Sequence, residues 1–139
     1  MSDLSIIQRK IKDIQRAKRI LLELSKYPLA EIKNTPILKG AVERYLFILT
    51  QATIDLASAR VAYEKLNSSD TYSGNFYILA EHKIIPPSLA EKLKPVVGTR
   101  NILVHQYAMF DLEYIFKDLH QNLKVITSFV NRVKKYLML

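Results

Sequence analysis

Apolar side chains recur every three or four residues along most of this chain, which is the spacing of one face of an α-helix. The first such stripe predicts a helix from about residue 3 to 26 and consists of Leu4, Ile7, Ile11, Ile14, Ala17, Leu21 and Leu24. Nothing in the sequence alternates between apolar and polar residues as a half-buried strand would. The chain is therefore expected to be all-α, with amphipathic helices that bury their stripes against one another.

Two more helices follow from the same spacing. The second is predicted from about residue 36 or 38 to residue 66, and its inward side consists of Val42, Tyr45, Leu46, Leu49, Thr53, Leu56 and Ala59. Residues 67–74 are rich in Ser, Asn, Asp and Gly, which indicates a loop. A short third helix then carries Phe76 to Ile84 and ends at Pro86 and Pro87.

Two further helices complete the predicted bundle. Ser88 and Glu91 have the spacing of a capping box, so the fourth helix is expected to start there. Pro95 predicts either a kink near residues 93–94 or a restart just before Arg100. Asp111 is the expected cap of the last helix, whose stripe continues to residue 137. The predicted fold is an antiparallel four- to five-helix bundle that forms a single domain over residues 1–139.

Composition excludes several classes of protein. The 139 residues include no cysteine, which rules out a disulfide scaffold and thiolate metal sites. Because the chain also starts without a charged-then-apolar signal region, we predict a cytoplasmic protein. No apolar run approaches the roughly 20 residues needed to span a bilayer, so no membrane partner is expected. The net charge of +8 favours an acidic partner such as nucleic acid, or simply solubility, and composition does not choose between them.

The segment from Arg100 to Tyr107 holds the main candidates for chemistry. Arg100 carries a permanent positive charge, and an imidazole such as that of His105 can transfer protons, so together they suit phosphodiester cleavage without a metal. On a regular helix Arg100 and His105 point about 140° apart, whereas Arg100 and Tyr107 nearly align. Either the helix is irregular at one end of this segment, or a second copy of the chain completes the site.

This Arg-x4-His-x-Tyr spacing resembles the signature of HEPN domains. The flanking sequences at residues 41–46, 89–93 and 97–101, together with a helix that carries Asp55, are similar to the HepT-like toxin branch of that family. The resemblance covers roughly residues 36–118 in the family's order. It implies a two-fold homodimer in which the Arg-x4-His segments of both subunits line one cleft.

The same resemblance implies a ribonuclease toxin of a toxin-antitoxin system. RNA would be cleaved by attack of its own 2′-hydroxyl group, so no metal or other cofactor is expected. His105 would transfer protons and Arg100 would stabilise charge on the phosphate oxygens. The family pairs such toxins with a small nucleotidyltransferase that adenylylates the tyrosine two residues after the histidine, which is Tyr107 here. An adenylyl group would add negative charge and bulk where the RNA backbone lies.

Supporting roles are less specific. Asn101 either orients the imidazole, contacts phosphate or caps a helix, and Arg44, Gln51 and Asp55 share one helical face that lines the cleft or simply faces solvent. His82 and His120 are expected to be ordinary surface residues.

Taken singly, Arg100, His105 and Tyr107 also have structural explanations, as a surface ion pair, a hydrogen-bonded interior histidine and a packing residue. Two alternative functions therefore stay open: a non-catalytic HEPN module that binds nucleotide or docks a nucleotidyltransferase, and a basic bundle that binds nucleic acid.

Overall fold

The computed structural model describes residues 2–105 and 111–137. In these two ranges all regular secondary structure is helical, which confirms the all-α prediction. Four long helices form the bundle, and three shorter helices connect or cover them. The seven helices of the described ranges are α1 Asp3–Leu24, α2 Leu29–Asn34, α3 Pro36–Tyr63, α4 Tyr72–Glu81, α5 Pro87–His105, α6 Leu112–Lys117 and α7 Leu119–Lys134.

The core is a continuous cluster of mostly aliphatic side chains that includes two phenylalanines. All of the predicted stripe of α1 is buried except Leu4, which is half-buried against the core. α1 packs along α3, while α4 and α5 pack against α3 and against each other. Phe76 of α4 meets Phe129 of α7 edge to face, with ring centroids 5.4 Å apart. Burial of these stripes is the main force that holds the helices together.

The ends of the helices follow largely from their capping residues. The Ser2 hydroxyl accepts a hydrogen bond from the backbone N–H of Ser5 at the start of α1. The Asp111 carboxylate accepts from the N–H groups of Glu113 and Tyr114, which confirms Asp111 as a cap. That cap begins only the six-residue α6, however, because the helix is interrupted at Asp118 before α7 starts. The prediction of one uninterrupted last helix was therefore wrong.

The expected start of the fourth helix was also wrong, and of the two alternatives predicted at Pro95 the restart does not occur. α5 begins at Pro87, so Ser88 lies inside the first turn and not at the capping position. Proline suits that first helical position because the N–H group it lacks would have no partner within the helix. The helix then continues through Pro95 without a restart before Arg100. Pro95 is exposed, and water can therefore satisfy the carbonyl group that its missing N–H leaves free.

The six-residue α2 was absent from the sequence prediction. Its buried residue Ile32 covers one end of the core, and Pro36 starts α3 two residues after α2 ends. Among the described residues, no helix is both long enough and apolar enough to cross a membrane.

Candidate active site

Arg100 lies on the last part of α5 and is held at two of its nitrogen atoms. Its Nε donates a hydrogen bond to Oε1 of Gln51 at 2.8 Å, and its Nη1 donates to Oδ1 of Asn101 at 3.1 Å. Both acceptors are side-chain amides, so the guanidinium keeps its full positive charge without a direct carboxylate partner. Within the described ranges, the hydrogen bonds of Arg100 are made by Nε and Nη1.

Gln51 connects Arg100 to a carboxylate on the same face of α3. Its Nε2 donates to Oδ1 of Asp55 at 2.9 Å, one helical turn further along. Asp55 in turn forms an ion pair with Lys10 of α1, with Oδ2 and Nζ 3.3 Å apart. Four side chains from three helices therefore form a continuous chain of contacts, here named the Arg100 relay: Lys10, Asp55, Gln51 and Arg100.

Tyr72 lies against the guanidinium of Arg100 at the start of α4. The carbon atom of the guanidinium lies 5.1 Å from the centre of the Tyr72 ring, which is cation–π contact distance. The ring is 42% exposed, so part of it also faces solvent beside the arginine. Amide groups thus bond Nε and Nη1 of Arg100, and the ring of Tyr72 contacts its guanidinium.

The loop before α4 fixes the position of Tyr72. Thr71 caps α4 by accepting a hydrogen bond from the N–H of Gly74 at 3.1 Å, and the buried Asn75 accepts one from the N–H of Ser69 at 2.9 Å. A Cβ atom on Gly74 would collide with the side chain of Ser69, so only glycine fits there. The cluster of small polar residues that predicted a loop therefore also places an aromatic ring beside Arg100.

His105 is the last described residue of α5 and is exposed. Because α5 is helical from Arg100 through His105, the two side chains leave the helix about 140° apart and about 7.5 Å apart along its axis. The regular helix therefore does not bring them to one point within a single subunit. Asn101 lies inside α5, which excludes the helix-capping role, and its described contact is with Arg100.

The other predicted site residues lie in different places. Arg44 is exposed beside a groove between α1 and α3, about 10 Å along α3 from Gln51, and no described contact joins it to the relay. His82 and His120 are both exposed, and Nδ1 of His82 lies 3.0 Å from the carbonyl oxygen of Ile78. Tyr107, the predicted modification site, lies outside the described residues. No group of three or more potential metal ligands occurs within residues 2–105 and 111–137.

Sequence reasoning missed two residues of this site, Lys10 and Tyr72. Lys10 was one of many basic residues on α1, and Tyr72 was one of eight tyrosines scattered along the sequence. Their contacts with Asp55 and Arg100 join separate helices, so no local spacing signals them.

A bundle with an anchored arginine five residues before an exposed histidine, on one helix, has the arrangement that the HEPN signature implies. The family model described as "Ribonuclease HepT-like" matches residues 7–133, and the chain belongs to this family. This match extends well beyond the residues that carried the resemblance in sequence.

Curated relatives carry related names. The chain is 32% identical over 96 residues to "tRNA nuclease HepT" of Aphanizomenon flos-aquae, which covers 69% of this chain and 65% of that protein. It is 30% identical over 129 residues to a "Putative RNase" of Archaeoglobus fulgidus, covering 93% of this chain and 96% of that one. "mRNA nuclease HepT" of Shewanella oneidensis is 29% identical over 76% of this chain and 79% of its own length.

Solved structures with the same fold include a toxin bound to its antitoxin. The tri-AMPylated HEPN toxin of Shewanella oneidensis, in complex with MNT antitoxin, superimposes with a TM-score of 0.82 at 26% identity, covering 93% of this chain and 96% of that one. YutE of Bacillus subtilis, a cytosolic protein of unknown function, has a TM-score of 0.81 at 17% identity over 96% of this chain and 89% of that one. The second likeness concerns the fold alone.

Proposed function

We propose that this protein is the toxin of a toxin-antitoxin pair and acts as a metal-independent endoribonuclease in the cytoplasm. The observation that carries the proposal is the anchored Arg100, placed on the same helix as His105 in a chain of the HepT-like family. Relatives named as tRNA and mRNA nucleases support RNA as the substrate class.

The proposed reaction uses the substrate's own 2′-hydroxyl group. Its oxygen forms a bond to phosphorus while the bond to the 5′-oxygen breaks, which leaves a 2′,3′-cyclic phosphate and a 5′-hydroxyl. His105 transfers protons between the attacking and leaving oxygens. Arg100 binds the phosphate oxygens and stabilises the charge that develops on them. The neighbouring Asn101 contributes to the site through its bond to Arg100.

The cleft is proposed to be composite, formed by two subunits of a homodimer. The roughly 140° between Arg100 and His105 on one helix supports this, since a two-fold partner can bring its own histidine towards the first subunit's arginine. Mixing Arg100→Ala and His105→Ala proteins, with subunit exchange allowed, should restore cleavage that neither variant has alone. A mixture that stays as inactive as its components contradicts the shared cleft.

The partner is proposed to be a nucleotidyltransferase antitoxin that adenylylates Tyr107. The complex of the AMPylated Shewanella toxin with its MNT antitoxin supports this assignment. Tyr107 follows His105 by two positions, so a bulky anionic group there would lie close to the path of the RNA backbone.

The decisive experiment is a cleavage assay with purified protein, total RNA and a metal chelator. We expect RNA fragments with 2′,3′-cyclic phosphate ends, no cleavage of matching DNA, and loss of cleavage in His105→Ala. His120→Ala, which removes an exposed histidine on α7, serves as the matched control. A His105→Ala protein with the wild-type melting temperature and wild-type cleavage would refute the mechanism. Folded wild-type protein that binds ATP or its partner but cleaves no RNA would favour the non-catalytic module instead.

A further inference from the structure

We infer that Gln51 is a positioning residue for Arg100, and that it acts as the neutral link between the guanidinium and the Asp55 carboxylate. The inference rests on the proposed function, because it assigns the orientation of Arg100 towards a phosphate. It adds a residue that acts through another side chain and has no contact of its own with the substrate.

Hydrogen-bonding chemistry explains why a glutamine lies between Arg100 and Asp55. A guanidinium can only donate hydrogen bonds, and a carboxylate can only accept them. A bridge between them therefore needs an acceptor on one side and a donor on the other. The amide of Gln51 offers both, with Oε1 towards Arg100 at 2.8 Å and Nε2 towards Asp55 at 2.9 Å.

The two amide contacts fix the orientation of the guanidinium. Because Gln51 binds Nε and Asn101 binds Nη1, the planar group is held at two of its three nitrogen atoms. A direct salt bridge to Asp55 would instead place a full negative charge against Arg100 and compete with phosphate. The amide of Gln51 separates the Asp55 carboxylate from Arg100, and the carboxylate still anchors that amide.

Lys10 completes the arrangement from α1. Its ion pair with Asp55 is partly exposed, with 25% of the Lys10 side chain and 35% of the Asp55 side chain accessible. The carboxylate therefore has one oxygen bound to Lys10 and the other bound to Gln51. This double contact restricts rotation of Asp55 and, through it, of the glutamine amide.

The test exchanges the neutral and the charged member of the link, Gln51 and Asp55. Gln51→Glu places two carboxylates side by side, which repel each other, and about a tenfold fall in kcat is expected from the disturbed geometry. Adding Asp55→Asn restores the pattern: the new carboxylate at position 51 accepts from Arg100 and from the new amide at position 55, whose oxygen accepts from Lys10. The double variant has the net charge of wild type and regains the geometry of the link, but its carboxylate competes with phosphate at Arg100, so its kcat should lie between those of Gln51→Glu and wild type.

Further variants separate positioning from folding. Gln51→Ala should lower kcat about tenfold with KM changed less than about twofold and with little change in melting temperature. Gln15→Glu, at an exposed position on α1, makes the same charge change as Gln51→Glu and should cleave like wild type. The inference is overturned if the double variant is no more active than Gln51→Glu. It is equally overturned if Gln51→Ala keeps the wild-type kcat.

A spectroscopic readout separates failure of this inference from failure of the ribonuclease proposal. The Nε–H signal of Arg100 in a ¹H–¹⁵N spectrum should exchange slowly with water in wild type and in the double variant, and rapidly in Gln51→Ala. If wild-type protein cleaves no RNA but shows this pattern, the proposed function fails and the positioning of Arg100 by Gln51 stands. If Nε–H exchange is the same in all variants, the positioning role is refuted whatever the enzymatic result.

Discussion

Arg60 and Arg100 show two contrasting uses of an arginine in the same bundle. Arg60 on α3 is 5% exposed; its Nη1 donates to the carbonyl oxygen of Val133 at 2.6 Å, and its Nη2 pairs with Glu64 at 2.7 Å. Arg100 is only half-buried and is tied through Nε and Nη1. In Arg60 both outer nitrogens have partners and the inner Nε has none among the described residues, whereas in Arg100 the described contacts involve Nε and one outer nitrogen, Nη1.

This difference shows that the hydrogen-bond partners of a guanidinium determine whether it can bind an anion. A group held by both outer nitrogens, with a carboxylate among its partners, joins helices and cannot receive a phosphate in the usual paired geometry. A guanidinium whose hydrogen-bond acceptors are neutral amides keeps its positive charge available to an anion. Both arginines also lie near a tyrosine ring, at 5.3 Å for Arg60 and Tyr63 and 5.1 Å for Arg100 and Tyr72, so the aromatic contact alone does not distinguish them.

Arg100→Ala is expected to have the largest effect and tests the contrast between Arg100 and Arg60 directly. Cleavage should fall about 1000-fold, because a positioned charge that stabilises the transition state is lost. The free energy of unfolding should change by less than about 1 kcal/mol, since the replaced contacts are partly exposed. Single-turnover cleavage and urea unfolding measure the two quantities, with the exposed Arg19→Ala as control. A large loss of stability with unchanged cleavage would place Arg100 in the same class as Arg60.

The converse result is expected for Arg60→Ala. Its removal leaves the Val133 carbonyl and the Glu64 carboxylate without their partner, and about 2–3 kcal/mol of unfolding free energy should be lost. The fraction that remains folded should cleave RNA at nearly the wild-type rate. Urea unfolding with cleavage corrected for folded protein tests this expectation. Arg60→Lys retains a charge but not both contacts, so its free energy of unfolding should lie between those of wild type and Arg60→Ala.

A smaller effect should separate the two tyrosine contacts. Tyr72→Leu removes the ring beside Arg100 and should lower kcat by roughly two- to fivefold, the size of a partly exposed cation–π contact. Tyr63→Leu, the matching change beside Arg60, should affect melting temperature and leave kcat unchanged. Tyr72→Phe keeps the ring and should behave like wild type. Equal kcat values for Tyr72→Leu and Tyr63→Leu would remove Tyr72 from the site.

The smallest expected effect concerns Tyr77, in the middle of α4. Its hydroxyl donates to Glu91 of α5 at 2.8 Å, and this bond raises the pKa of Tyr77 above its usual value of about 10. The bond exists only with the hydroxyl protonated, so its contribution to stability is present below pH 10 and is lost as the pH rises through the raised pKa. Melting curves of wild type and Tyr77→Phe should differ slightly at pH 8 and converge at higher pH. A difference that grows with pH would contradict this.

The sequence predicted the long helices well because their stripes carry a clear period. The apolar stripe across Ile115, Leu119 and Leu123 stays in phase on both sides of Asp118, and for that reason the break between α6 and α7 gave no signal. α2 has only six residues, too few to display a period.

The candidate site was only partly predictable for a different reason. Arg100, Asn101 and His105 could be chosen because they are close in sequence and fit a known spacing. The relay depends on contacts between α1, α3 and α5, such as the bond between Gln51 and Arg100, which are 49 residues apart. Sequence periodicity placed Gln51 and Asp55 on one face of α3, but it did not show which groups they would meet.

The ion pair between Lys10 and Asp55 has a practical consequence for handling the protein. Only a few helical turns of α1 precede Lys10, so an affinity tag or fusion partner that strains the beginning of this helix would displace the outermost member of the relay. Purified material could then unfold normally and still turn over poorly. Cloning vectors that leave the amino terminus unmodified are therefore the safer choice for measuring specific activity.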